Sequence, residues 1–378
     1  MNRRTDTSKG MFPMPIRNLH EKPYDEGTQD KLDLYREYLR EWLPVFMNAA
    51  FVDTVQIFDF FAGPGNDKAG NPGSPLITCD EIRDALNNHD GNQTKKIRAY
   101  FNEFAVDKYK DLSSCIDEQK IALPQVEFTI MQNDFHYAFE QWKPLMLGKT
   151  ANLLFLDQNG VQQITEDIFQ TIVCLPRTDF IFFISSAMVN RFKNTQEIRK
   201  YVPVTDEDYS QMNGTNVHRI VADTYRRWIP DGLAYYLGSF SIQKGPNVYG
   251  LVFGSGHPRG IDKFLHVVWK KGGDANFDID KDGIDPNSPS LFSEFDKPKK
   301  ISVFEKDLES AVLERRLLTN KDVYIFSLQN GLLSSHARVA LNQMIKESKL
   351  PSQVFRISYD AWTKPNTEPI KHFERVHP

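Results

Sequence analysis

The chain has 378 residues, of which 40% are hydrophobic and 25% charged, enough apolar material for one large core and a second, smaller one. Lys and Arg total 46 against 50 Asp and Glu, a net charge of -4, which argues against a uniformly basic nucleic-acid coat protein and leaves room only for a local basic patch. Cys79, Cys115 and Cys174 form no CxxC pair, so a disulfide framework and a cysteine zinc site lose support, and reduced thiols in a cytoplasmic protein are expected. No run approaches the roughly 18 apolar residues of a membrane span, and residues 1–26 lack the apolar segment of a signal peptide, reading as a disordered tail.

From Thr28 to Leu43 apolar residues recur at helical spacing, and Pro44, without an N–H, is expected to kink or end that helix. Apolar, β-branched and aromatic runs then alternate with amphipathic ones. The expected strands are Val55 to Phe61, Ile97 to Asn102, Val126 to Met131, Ala151 to Leu156 and Asp179 to Ser185. The expected helices cover Leu76 to Leu86, Lys108 to Glu118, Tyr137 to Leu147 and Glu166 to Cys174. Such alternation implies a mostly parallel sheet with helices on both faces. After a helix from Val217 to Trp228, runs Leu233 to Gln243 and Asn247 to Phe253 meet through Gly245 and Pro246; so short a connection makes them an antiparallel pair. A helix Ile261 to Lys271 follows. Five parallel strands closed by an antiparallel pair give the α/β layout of Rossmann-like methyltransferases, here assigned to residues 27–271.

Residues 272–299 are rich in Gly, Pro, Asp and Lys and read as a linker. Asp278 to Gly283 opens like a calcium loop, but Pro289 stands where a bidentate Glu is needed, so no metal site is assigned. Residues 300–378 offer a helix Phe304 to Arg316, a strand Val323 to Ser327, a helix Leu333 to Glu347 and an extended piece Val354 to Ser358, an order that resembles a winged helix-turn-helix. From Phe295 onward 14 Lys and Arg face 10 Asp and Glu, whereas the residues upstream are net acidic.

The first strand runs into Asp59, Phe60, Phe61, Ala62, Gly63, Pro64 and Gly65, a turn whose glycines let a ligand approach the backbone. Glu103, Asn133 with Asp134, and Asp157 follow the next three strands, where parallel sheets bind ligands. With S-adenosylmethionine as the ligand, the Gly63/Gly65 turn underlies the methionine part, Glu103 accepts from the ribose diol and Asp134, beside Asn133, accepts from the adenine amine. The bland reading makes Glu103 and Asp134 helix caps. G-P-G is not G-x-G-x-x-G, so a dinucleotide is the weaker reading.

These segments resemble a known family. Lys31, Tyr38, Leu39 and Trp42, the Asp59–Gly65 turn with Gly73-Ser74-Pro75, and Leu153 to Asp157 are similar to the three-Cys-motif partner family, TcmP. So are Tyr235-Tyr236-Leu237, Phe253 to Gly260, and Val323-Tyr324 through Gly331 to His336-Ala337, a span from about residue 20 to 350. The resemblance implies a methyltransferase-like domain plus a winged helix acting beside a separate three-Cys-motif protein similar to radical SAM enzymes.

Asp157 and Asn159 stand at the catalytic position, in the order Asp157-Gln158-Asn159-Gly160. Amino-group DNA methyltransferases carry prolines and an aromatic here to hold a flipped base; this chain has the acid alone. No Pro-Cys occurs, which removes cytosine-C5 chemistry. Asp157 is left as general base or acceptor, against a plain helix cap. Ser185, Ser186 and Arg191 follow the fifth strand, and His257 and Arg259 follow the antiparallel pair, positions suited to substrate or phosphate. Ser335, His336 and Arg338 open the candidate recognition helix, with Lys346, Lys349 and Arg356 at its end and on the wing, a set suited to nucleic acid, with protein contacts, which many winged helices make, as the alternative. The reading is therefore a methyltransferase acting on or near nucleic acid, with a non-catalytic adaptor of a mobile-element or defence system as the alternative.

Overall fold

The computed structural model describes residues 23–24, 26–89, 95–158, 163–185, 205–211, 217–244, 247–271 and 299–373. A long helix, α1 (Glu26–Met47), precedes strand β1 (Thr54–Asp59). Then come α2 (Ser74–Asn87), β2 (Lys96–Asn102), α3 (Val106–Ala122), β3 (Val126–Met131), α4 (Phe135–Trp142), β4 (Thr150–Leu156), α5 (Glu166–Cys174) and β5 (Thr178–Ser185). The helices α6 (Asp206–Gln211) and α7 (Val217–Trp228) lead to the hairpin β6 (Tyr236–Lys244) and β7 (Asn247–Ser255), and α8 (Pro258–Lys271) closes the sheet domain.

The seven strands lie in the order β3-β2-β1-β4-β5-β7-β6. β1 to β5 pair in parallel, and β7 is antiparallel to both β5 and β6, so only β7 runs against the rest. This is the Rossmann-like methyltransferase sheet that the strand rhythm implied. Its order reverses between β1 and β4, and the crevice at the carboxyl ends of those strands is where such a sheet takes a ligand. Each central strand is buried on both faces. Val55 and Ile57 enter one core with α1, α2 and α3, while Phe58 enters the other with α4, α5 and α7.

Pro44 does not end α1, which continues to Met47. Only one intrahelical hydrogen bond is lost so near the terminus, and Trp42, Leu43 and Met47 are all buried there.

The C-terminal domain comprises α9 (Lys299–Leu313), α10 (Asn320–Gln329), α11 (Ser334–Lys346) and the short α12 (Tyr359–Thr363). The expected strand Val323 to Ser327 is helix. Thr319 accepts from the Asp322 amide at 3.2 Å while Asp322 accepts from the Thr319 amide at 2.8 Å, a capping box that starts α10. Val323, Tyr324, Ser327 and Leu328 then point inward at helical spacing. Residues 354–358, expected as an extended piece, form no strand; Arg356 N donates to Glu368 at 3.1 Å and Lys371 N to Gln353 at 2.6 Å, so side chains hold this segment to the C-terminal stretch.

The apolar core under β6, β7 and α8 continues without a break into Phe304, Leu308, Val323, Tyr324 and Leu341. Trp269 Nε1 donates to Gly331 O at 3.0 Å and Tyr324 Oη to Asp262 at 2.9 Å across the same junction. The two domains are thus docked on each other. The linker segment up to residue 298 and the calcium-like run lie outside the described residues.

Candidate cofactor site and the recognition helix

β1 delivers its last residue, Asp59, to the switch crevice, and the chain turns through Gly63 and Gly65 at φ of +65° and +96°. L side chains rarely adopt that region, so glycine is the residue that fits. A Cβ on Gly65 would stand 3.2 Å from the Cys115 side chain, and one on Gly73, at the start of α2, 2.9 Å from Tyr24 Oη. The turn is closed by Gly73 N donating to Gly65 O at 2.8 Å.

Glu103 is fixed by this turn. Gly63 N donates to its Oε2 at 3.0 Å and Ala105 N to its Oε1 at 2.7 Å, so each oxygen keeps a lone pair for a hydroxyl donor. The neighbouring Asn102 went unnoticed in the sequence. Its side chain donates to Phe60 O at 3.2 Å and Asn133 O at 2.9 Å and accepts from Asn133 N at 3.2 Å, tying the ends of β1, β2 and β3 together. The available signal was a polar residue closing an apolar strand.

Asp59 is wholly buried; its Oδ1 accepts from Phe61 N at 3.1 Å, and its Oδ2 has no hydrogen-bonded partner. Burial pushes its carboxyl up to about 7, opposed by the nearby Ser74 hydroxyl and the Phe61 amide and assisted by the charges of Asp157 and Glu103. Across the crevice Asp157 caps no helix among the described residues. Lys31 Nζ, from α1, reaches Asp157 Oδ1 at 2.8 Å and Oδ2 at 2.6 Å, and lies 5.0 Å from the centroid of Phe183. The sequence marks Lys31 as part of a helix and of the family resemblance, but not as the partner of Asp157, which is 126 residues away. Tyr24 crosses in front, its amide donating to Asp67 at 2.7 Å; burial, then the negative charges of Asp67, Asp157 and Asp59, raise its phenol.

Asp59, Phe61, Ala62, Gly63, Gly65, Glu103 and Asp157 gather at one edge. Phe61 stacks on Phe135 at 5.4 Å between centroids. Asp134 follows the bland reading as well, capping α4 by accepting from Tyr137 N at 2.9 Å while remaining exposed. Asn159, Ser186 and Arg191 lie outside the described residues.

The recognition-helix set is thinned by the structure. His336 faces inward: its Nδ1 accepts from Leu333 N at 3.1 Å, its ring lies 4.3 Å from Trp269, and burial, then Lys300, push its pKa down to about 4. Lys349 pairs with Glu309 at 2.6 Å and Glu347 at 2.7 Å, and Arg356 stands 3.6 Å from Glu368. Both cations are matched by acids on their own domain. Arg338 and Lys346 stay exposed, with Ser335 half-buried beside them. His257 and Arg259 do not join the edge of the glycine turn: Ser255, at the end of β7, pairs with Asp179 at the start of β5, so they emerge at the opposite edge.

A family model described as a GMT-like wHTH domain matches residues 278–351, which begins before α9 and ends just after α11. No curated protein matches the chain. Among solved structures, the O-methyltransferase TomG from Streptomyces achromogenes, in complex with SAM, is similar at 10% identity over 61% of this chain and 89% of that one, with a TM-score of 0.33. An O-methyltransferase from Bacillus cereus in complex with SAH is similar at 9% identity over 62% of this chain and 91% of that one, TM-score 0.34. Spermidine synthase from Thermotoga maritima is similar at 12% identity over 61% of this chain and 62% of that one, TM-score 0.31. The strand order, not these distant likenesses, carries the fold, and the chain unites a Rossmann-like methyltransferase sheet with a C-terminal winged helix-turn-helix domain.

Proposed function

We propose that residues 27–271 bind S-adenosylmethionine and that the chain is a methyltransferase-like protein acting on or near nucleic acid beside a three-Cys-motif partner, as its resemblance to the TcmP family implies. The carrying observation is the left-handed Gly63–Gly65 turn held by Glu103, with the unpartnered Oδ2 of buried Asp59 behind it, at the point where the strand order reverses. These residues fit the cofactor: the glycines give backbone access, Glu103 keeps lone pairs for a diol, and Asp59 supplies a carboxylate oxygen to a cationic group. When bound, the cofactor supplies an electrophilic methyl carbon on a sulfonium. Asp157 then acts as acceptor for the attacking group, oriented by Lys31. Arg338, Lys346 and Ser335 supply the exposed nucleic-acid contacts of the winged helix.

The adaptor reading is favoured by one observation, the engagement of both Asp157 oxygens by Lys31. Calorimetric titration with S-adenosylmethionine and S-adenosylhomocysteine tests the site. Saturable binding that disappears in Glu103→Ala and Gly65→Trp supports it, and no binding by the wild type sinks it. Methyl transfer to DNA or RNA in the partner's presence, abolished in Asp157→Ala with cofactor affinity retained, separates enzyme from adaptor.

A further inference from the structure

At the edge opposite the cofactor turn, where the sheet domain meets α12, lies a cavity of about 830 Å³ that the proposed methyltransferase reading does not use. Its volume suits a small ligand, and junctions between domains are common places for one. Its lining is divided by chemistry. Phe46, backed by the buried Trp42 at 4.9 Å between ring centroids, and Phe51, 60% exposed, form an aromatic wall from the end of α1 and the turn after it.

The facing wall carries donors and positive charge. Arg259 lies 5.1 Å over the ring of Tyr359 and forms no ion pair among the described residues. Arg177 directs its guanidinium at the carbonyls of Thr150 and Gly148, which orient it without cancelling its charge. His257 Nδ1 accepts from Arg259 N at 3.2 Å, so the neutral ring carries its proton on Nε2 as a further donor. By contrast the other two cations of the lining are matched, Arg40 by Glu81 and Lys263 by Glu41. Asp179, 6% exposed, is the buried acid of the cavity; its Oδ2 accepts from Tyr38 Oη at 2.8 Å and Trp42 Nε1 at 3.0 Å.

We propose that this cavity binds a free mononucleotide. The base lies along Phe46 and Phe51, and the phosphate meets Arg259, Arg177 and His257. Arginine forks suit phosphate oxygens, and any base offers a π-face to an aromatic wall. Asp179 sets the orientation: an acceptor-only group attracts ring N–H donors and repels phosphate, which is left to the exposed Arg259 side. Because Tyr359 belongs to the C-terminal domain, the occupied site bridges both domains. The inference does not rest on cofactor binding at the glycine turn.

The test is calorimetry on the full chain with AMP and GMP as probes, beside adenosine, guanosine and inorganic phosphate. At least one nucleotide should bind with micromolar Kd, and its nucleoside and phosphate alone at least tenfold more weakly. Arg259→Glu and Phe51→Ala, both at exposed positions, should each weaken it at least tenfold with unchanged melting temperature, while Gly65→Trp leaves it intact. The proposal is overturned by no nucleotide binding, by inorganic phosphate binding as tightly, by normal binding in the two cavity variants, or by loss in Gly65→Trp. The last result would move the nucleotide to the cofactor turn.

Discussion

A buried carboxyl and a half-buried ion pair decide how the edge at the glycine turn behaves, and each makes a prediction at the level of single side chains. Asp59 has its carboxyl raised from 3.8 to about 7, so between those values the folded chain holds a proton that the unfolded chain has released. The linked stabilisation is complete below pH 3.8 and lost as pH rises through 7, by up to roughly 4 kcal/mol at 1.36 kcal/mol per unit. Asp59→Asn keeps the shape without the ionisation. Its stability relative to wild type should therefore increase from pH 5 to pH 8 in urea titrations, and a difference independent of pH would refute the assignment. Lys31 and Asp157 make the second case, since their side chains are only 11% and 27% exposed. Lys31→Met leaves a half-buried carboxylate without its cation and should cost about 1–3 kcal/mol. The double variant Lys31→Met/Asp157→Leu should recover most of that, and additive losses in the double-mutant cycle would show that the pair is not coupled.

At the scale of elements, β7 owes its close fit against β5 to glycine. Gly254 opposes Phe180 in the β5–β7 register, and a Cβ there would fall 2.2 Å from the Phe180 ring. That ring has no room to retreat, being stacked on Tyr235 at 6.3 Å and edge-on to Phe169 at 6.1 Å. Gly254→Ala should therefore destabilise the sheet domain by about 1–3 kcal/mol, read as a lower urea midpoint; an unchanged midpoint would mean that β5 and β7 are not so closely pressed. Elements were legible where one signal dominated. Val126–Met131, Glu166–Cys174 and Val217–Trp228 agree at both ends with the sequence reading because apolar period and flanking polar residues coincide. They were misread where a local signal lost to its context. Val323 to Ser327 has strand composition, but the Thr319 and Asp322 cap sets a helix before those residues are reached. That Asp59, Gly63, Gly65 and Glu103 meet at one strand-end edge was legible because strand ends and glycine turns are local features. Lys31 as the partner of Asp157 was not, because a contact spanning 126 residues leaves no local trace.

On the scale of the whole molecule, the continuous core changes what the winged helix can do. A tethered reader would present the first turn of α11 to nucleic acid, yet here that turn is packed on α8, with His336 against Trp269 and Gly331 held by the Trp269 indole. Any nucleic acid must meet the outward side, at Arg338 and Lys346, unless the domains separate. His336 makes that separation dependent on pH. Its pKa falls from 6.5 to about 4 because burial disfavours the imidazolium and Lys300 adds positive charge nearby. The unfolded or undocked histidine thus binds the proton more readily. Stabilisation of the docked form is complete above pH 6.5 and lost progressively as pH falls toward 4. The acid Asp262, bonded to Tyr324 at the same junction, lies across the contact, so the histidine variant is needed to assign the effect. Hydrogen exchange, corrected for its intrinsic pH dependence, should show residues 331–341 and the α8 segment around Trp269 less protected at pH 5 than at pH 7. His336→Phe keeps a ring against Trp269 without a titrating group and should remove that difference. Equal protection at both pH values in the wild type would mean that the junction holds irrespective of this histidine, and the outward face would then be the only one α11 can offer.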